Sequence, residues 1–381
     1  MSIYNDSAQG GATLYVYDLE LFPNYFLAVF KAITPCRDGE FIQYTITDLD
    51  ELKAFVSQPN LTLVGYNNFN FDDALLKIIL DNPDCTTEFL CDWANRIIKE
   101  SEEDKQAILE YRYSVSGWIS IDLMQILGGP GLAGSLKSHE IRLGMLNVQD
   151  LPYPPGSMLS SEQIIVVRDY CQHDVNATEA LYHNLQDKIN VRYGVNRQYP
   201  YLKNSALRRS DASIAEAVMK KEYLKKSGRN SKDIQKPQKF IFKPDKRIDP
   251  NIRFTNPHNQ VLLERLRTLS LFEAKDWTQK KLNESFVFRV GNHSINLGRG
   301  GLHTIIGHCV IESEAILEFD VASYYPSLLR KFKNYPVGLT EHWIKILNGL
   351  TDERLVAKRN GDKAKAEVYK IIINSLYGKM A

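Results

Sequence analysis

In the stretch TLYVYDLELF, Asp18 and Glu20 stand two residues apart on a segment that alternates like a strand. Both carboxylates therefore project from one face. Two acids on the same face of an apolar strand repel each other and cost desolvation, which a divalent cation or a solvent-facing edge would relieve. Asp72 opens the helical pattern FDDALLKIIL, a position where the helix dipole alone favours an acid. In YCQHD, Tyr170 and Asp174 share a helix face at i and i+4, as simple packing pairs also do. A fifth acid, Asp320, ends the apolar run AILEF and is followed by VASYYPS.

Each feature alone has an ordinary structural explanation; their order and spacing carry more. A DxE on a first strand, N-x(2 or 3)-F-D before a helix and YxxxD on a late helix resemble the DEDDy family of 3′–5′ exonucleases over roughly residues 12–190. The resemblance implies an RNase H-like fold. It also implies that Asp18, Glu20, Asp72 and Asp174 hold two divalent metals, Mg2+ or Mn2+, while Tyr170 orients the attacking water. Asn67 or Asn68 would contact the DNA strand, since the spacing admits either, and Phe69 and Phe71 would stack on a base or join the core. Leu21 replaces the threonine that many relatives carry after the DxE. SLKSHEIRLG resembles a DNA-binding element of these domains, with Lys137 as a phosphate contact or an ordinary surface lysine.

DVASYYPS resembles motif A of family B DNA polymerases. By that resemblance Asp320 is one of two catalytic metal-binding aspartates, with the Val321 carbonyl helping. Ser323 and Tyr324 would lie near an incoming triphosphate, and the Tyr325 ring would exclude a ribose 2′-OH by shape. KIIINSLYG resembles motif B of the same family. Lys370 would neutralise the triphosphate, Asn374 would share its face, Tyr377 would pack under the base and sugar, and Gly378 would let the template base approach. Lys358 and Arg359 are further phosphate ligands or part of a solvated face. Within LGRGGLHT, Gly300 and Gly301 match an element that balances synthesis against proofreading, although Gly298 stands where its tyrosine would be.

Elements must position these residues. Strands are expected at TLYVYDLELF, YFLAVFKAI and LTLVGYN, and helices at FDDALLKIIL, in one charged exposed stretch IIKESEEDKQAILEYRY, and through VVRDYCQHDVNATEALYHNL. This reads as an α/β exonuclease domain over 1–190. A basic connection and the start of the palm follow over 191–310, with KKEYLKKSGRNSKDIQKPQKFIFKPDKR as an exposed connection or nucleic-acid-facing arm. Partial palm and fingers follow over 311–381, with strands at FVFRVG and AILEFDV and a final helix ERLVAKRNGDKAKAEVYKIIINSLY. The 381 residues are 44% hydrophobic and 24% charged, the composition of a globular protein with more than one domain.

Charge is uneven although the net is +1. Residues 1–200 hold 14 basic and 27 acidic side chains, whereas residues 201–260 hold 15 and 6. Metals in one place and phosphates in another would suit that division. No 18-residue apolar run occurs, so a membrane span is not expected. Five scattered cysteines without a CxxC pair fit free thiols in a cytoplasm, the host bacterial cytoplasm if the chain is of bacteriophage type.

No D-T-D, the third polymerase motif, occurs in the sequence. The expected function is therefore the N-terminal portion of a DNA-directed DNA polymerase with a 3′–5′ proofreading exonuclease. Its partners would be primer–template DNA, single-stranded 3′ ends, dNTPs and a second chain supplying the missing motif and the thumb. The alternatives are a stand-alone exonuclease and a non-catalytic DNA-binding relic.

Overall fold

The computed structural model describes residues 13–34, 42–114, 117–234, 248–268, 284–291, 293–298, 301–304, 317, 324–336 and 338–380. A five-stranded mixed sheet, ordered β3-β2-β1-β4-β5, organises the first part of the chain. The central strand β1 (Thr13–Phe22) pairs antiparallel with β2 (Tyr25–Ala32), which pairs antiparallel with β3 (Gln43–Ile46). On its other side β1 runs parallel to β4 (Leu61–Gly65), and β4 runs parallel to β5 (Ile119–Asp122). LTLVG is buried at every position, as a parallel strand between two neighbours with both faces covered must be.

Alternation along β1 divides two cores. Tyr15, Tyr17 and Leu19 join Phe26, Ala28 and Phe30 of β2 on one face. There they meet α1 (Leu49–Val56), α2 (Asp72–Asp81) and α3 (Thr87–Lys99) through Leu52, Phe55, Ile78, Ile79 and Leu90. Leu14 and Val16 join Leu27 and Val29 on the other face, where α7 (Ser161–Asn184) contributes Cys171 and Val175. Each such buried apolar side chain contributes about 1.5–3 kcal/mol. A mixed sheet covered by helices on both faces is the α/β class expected.

Local chemistry fixes the ends of these elements. Ser160 caps α7 by accepting from the Gln163 backbone N–H, and the Gln163 side chain accepts in return from Ser160 N–H. The β1–β2 turn is anchored by Asn24, whose amide donates to the Leu159 carbonyl and accepts from Leu159 N–H, both at 2.9 Å.

Several elements differ from the sequence reading. The charged stretch 97–113 is not one helix. It breaks at Glu100, which adopts φ 43°, before α4 (Lys105–Tyr113) starts. The four-residue strands β3 and β5 are too short to show a period, as is α5 (Leu123–Ile126). α6 (Leu136–Arg142) follows, and α8 (Gln186–Gln198) continues from α7. The basic stretch taken as a connection begins inside α9 (Asp211–Ser227), which buries Ile214, Ala215, Val218, Met219 and Tyr223. The long final helix is two, Ending the first at Arg359 and starting the second at Lys363, because Gly361 takes φ 74° between them.

The chain forms two compact units. The first holds residues 1–227, 325–334 and 341–381. In it α9 packs against helices His342–Arg359 and Lys363–Met380, and the latter also packs on α8. A Cβ added at Gly194 would stand 3.0 Å from Val368 Cγ2, so that approach of two helices suits glycine. In the second unit α10 (Pro257–Thr268) packs Leu262 on Phe286 and Phe288 beside an antiparallel sheet of β6 (Val287–Val290), β7 (His293–Gly298) and β8 (Gly301–Thr304). The expected strand AILEFDV lies outside the described residues apart from exposed Leu317.

Candidate metal centre

β1 continues beyond the point where β4 stops pairing with it at Val16. Asp18 and Glu20 sit on that continuation, on the same face as Leu14 and Val16, and so look toward α7. On α7, Tyr170 is buried one helical turn before Asp174, and its phenol feels the charge of that carboxylate. The ligand oxygens of Asp18, Glu20 and Asp174 all lie within 4.8 Å of one another. Strand alternation and one helical turn thus bring together residues more than 150 positions apart. Asp72, at the first turn of α2, is buried and repelled by Asp18, although it stands outside that 4.8 Å set.

Burial and like charge dominate the electrostatics of this cluster. Withdrawal from water, then the Asp174 charge, pushes Asp18 up to about 8. Withdrawal from water, then Asp18, pushes Glu20 up to about 9. Asp174 rises only to about 6, because the Tyr170 hydrogen bond opposes its burial. Asp72 is held well above the carboxylate range by burial and by Asp18. Four carboxyls in this state cannot all ionise near neutrality without a cation among them, and an all-oxygen donor set is what Mg2+ or Mn2+ takes. The residues present fit such ions.

A buried scaffold holds the α2 end of the site, and the sequence reading missed it. Asp122, at the end of β5, accepts from Asn67 N–H at 3.2 Å, Phe69 N–H at 3.0 Å and Gln125 N–H at 3.1 Å. Burial still pushes its carboxyl up to about 7. Asn67 itself takes φ 66°, a conformation asparagine tolerates. Asp73, fully buried beside Asp72, accepts from the Tyr17 hydroxyl at 2.9 Å, Trp118 Nε1 at 3.2 Å and the Ser120 hydroxyl at 2.5 Å. The only signal in the sequence was an acid closing a short apolar run, as in WISID.

The expected DNA contacts are placed as follows. Asn68 is buried, its amide 3.1 Å from Ser120 Oγ, so of the two asparagines Asn67 is the more accessible. Phe71 is partly buried against the core, and Phe69 is buried with its edge on Tyr113 and Arg208 over its ring. Lys137 is half-exposed on α6, paired with Asp150 at 2.5 Å, and its charge helps to hold Asp174 down.

The second set is described only in part. Asp320, Val321, Ser323 and Gly300 lie outside the described residues. Gly301 opens β8, and Tyr324 and Tyr325, both exposed, open helix Tyr324–Phe332 with Pro326 in its first turn. Lys370 pairs with Glu367 at 2.9 Å, and Asn374 is exposed. Lys370 and Asn374 line a cavity of about 750 Å³ shared with Lys188, Arg192 and Arg197 of α8. Tyr377 and Gly378 fall in the last turns of helix Lys363–Met380, and Lys358 and Arg359 are exposed across the Gly361 break.

No protein-family model matches the chain, and no curated protein matches it. Solved structures similar to it include the family B DNA polymerase from the hyperthermophilic archaeon Pyrobaculum calidifontis. That likeness has 12% sequence identity and a TM-score of 0.43, covering 97% of this chain and 47% of that one. The chain thus spans about half the length of that polymerase. Among the described residues, no helix is long and apolar enough to cross a membrane.

Proposed function

We propose that the chain carries an RNase H-like 3′–5′ exonuclease that acts on DNA ends through divalent metals, as the proofreading half of a family B-type DNA-directed DNA polymerase. The observation that carries this reading is the convergence of Asp18, Glu20 and Asp174 within 4.8 Å, with Tyr170 one helical turn from Asp174. Asp18, Glu20, Asp174 and Asp72 would hold the ions. When bound, the metals supply an activated water and stabilise the charge on the leaving 3′ oxygen.

The chain's own residues do the rest. Burial and the neighbouring carboxylates raise the Tyr170 phenol far above its usual range, so it keeps its proton and orients a water as a hydrogen-bond partner instead of a base. Asn67, its backbone N–H held by Asp122, would meet a strand end. Lys137 reaches a phosphate by leaving Asp150, an exposed partner whose loss costs little. Motifs A and B add the start of a palm and fingers, where Asp320, Tyr325 and Lys370 would serve nucleotide addition.

A 5′-labelled single strand incubated with Mg2+ tests the exonuclease reading. Stepwise shortening from the 3′ end is expected, slowed at least about 100-fold by Asp18→Ala. Shortening that is equal in both proteins would remove the reading.

A further inference from the structure

Glu140 on α6 is buried to 1% exposure, an expensive place for a carboxylate. Its Oε2 lies 2.9 Å from Nε2 of His173 on α7, while Oε1 is buried without a hydrogen-bond partner. Leaving such an oxygen unsatisfied costs about 1–3 kcal/mol, and native structures fill such places with water or an ion. Glu140, His173 and Asp174 each bring a ligand atom within 4.8 Å of the others.

An ion pair tying α6 to α7 would use one Glu140 oxygen and leave both Oε1 and the convergence on Asp174 unaccounted for. A cation shared by Nε2, Asp174 and both Glu140 oxygens accounts for Oε1, for the convergence on Asp174 and for the close Nε2–Oε2 approach. Two ligands about 2.1 Å from one ion, at right angles, stand about 3 Å apart, close to the observed Nε2–Oε2 separation. The imidazole also sets the kind of ion, because Mg2+ prefers oxygen whereas Mn2+ and Zn2+ accept nitrogen.

We propose that Glu140, His173 and Asp174 form a cation site beside the Asp18–Glu20–Asp174 carboxylates, one whose imidazole ligand suits a transition metal over Mg2+. The inference rests on the exonuclease reading through Asp174, which both sites share. An ion there couples α6, which carries Lys137, to the carboxylate that Tyr170 touches.

The test is electron spin-echo spectroscopy of Mn2+ added to the purified chain. The expected result is 14N modulation from one bound imidazole, lost in His173→Gln while the Asp18→Asn variant keeps it. Circular dichroism confirms that each variant is folded. Glu140→Gln should weaken this binding about tenfold or more. Bound Mn2+ without nitrogen coupling, or coupling unchanged by His173→Gln, would overturn this site alone. If His173→Gln does not fold, loss of the coupling in folded Asp18→Asn would overturn it instead. No bound Mn2+ in the wild-type chain would overturn both this site and the exonuclease reading.

Discussion

The candidate metal centre and the helix Lys363–Met380 both gather charged side chains, yet they balance them differently. At the centre, Asp18, Glu20 and Asp174 crowd like charges together, and burial pushes Asp18 and Glu20 to about 8 and 9. On the helix, Lys370 is matched by Glu367, and across the cavity Arg192 is matched by Asp211 at 2.6 Å. Charges already paired ask for no ligand, whereas like charges held together by a strand and a capped helix do. This contrast is why the exonuclease reading rests on geometry and the polymerase reading on motif resemblance.

The largest expected effect concerns what holds the metal centre rigid. Asp122→Ala removes the acceptor for one buried and two part-buried N–H groups and should destabilise the chain by roughly 3 kcal/mol, at about 1–3 kcal/mol for each orphaned group with partial relaxation. Denaturant unfolding measures it, and a loss under 1 kcal/mol would mean that the loop supports itself. Tyr170→Phe comes next. It should slow strand shortening about 10- to 100-fold while leaving Mn2+ affinity unchanged, and a parallel loss of Mn2+ binding would make Tyr170 a part of the metal shell instead.

A smaller effect separates the regions by pH. Asp18, Glu20 and Asp174 hold protons more tightly folded than unfolded, so the metal-free chain binds extra protons between about pH 4 and 9. Its stability should therefore fall as pH rises across that window. Added Mg2+ competes with those protons, so it should raise the melting temperature more at pH 8.5 than at pH 5.5. An equal shift at both would dissolve the contrast. The smallest effect is at Lys370, where the pair with Glu367 is nearly half exposed and contributes at most about 1 kcal/mol. Lys370→Ala should leave strand shortening unchanged, and a shortening defect would tie the two regions together.

Legibility in the sequence followed the range of the interactions. β1, β2, β4 and α2 announced themselves because alternation, apolar runs and helical spacing are local. So were the DxE and YxxxD spacings, since one strand face or one helical turn fixes each. β3 and β5 have four residues each, too few for a period. α9 was hidden because its apolar residues serve two partner helices while lysines cover the rest. Asp73 and Asp122 were missed because most of their partners come from 45 to 56 residues away. Glu140 and His173 meet across 33 residues, and nothing local marks either as a ligand.

The most direct measurement is a primer–template assay with Mg2+ and all four dNTPs, run on the wild-type chain beside Asp18→Ala. The account predicts shortening of the wild-type primer, its loss in Asp18→Ala, and no extension by either protein. Shortening that survives Asp18→Ala would contradict the metal centre as the seat of hydrolysis. Extension by the purified chain would contradict the division drawn between the two regions.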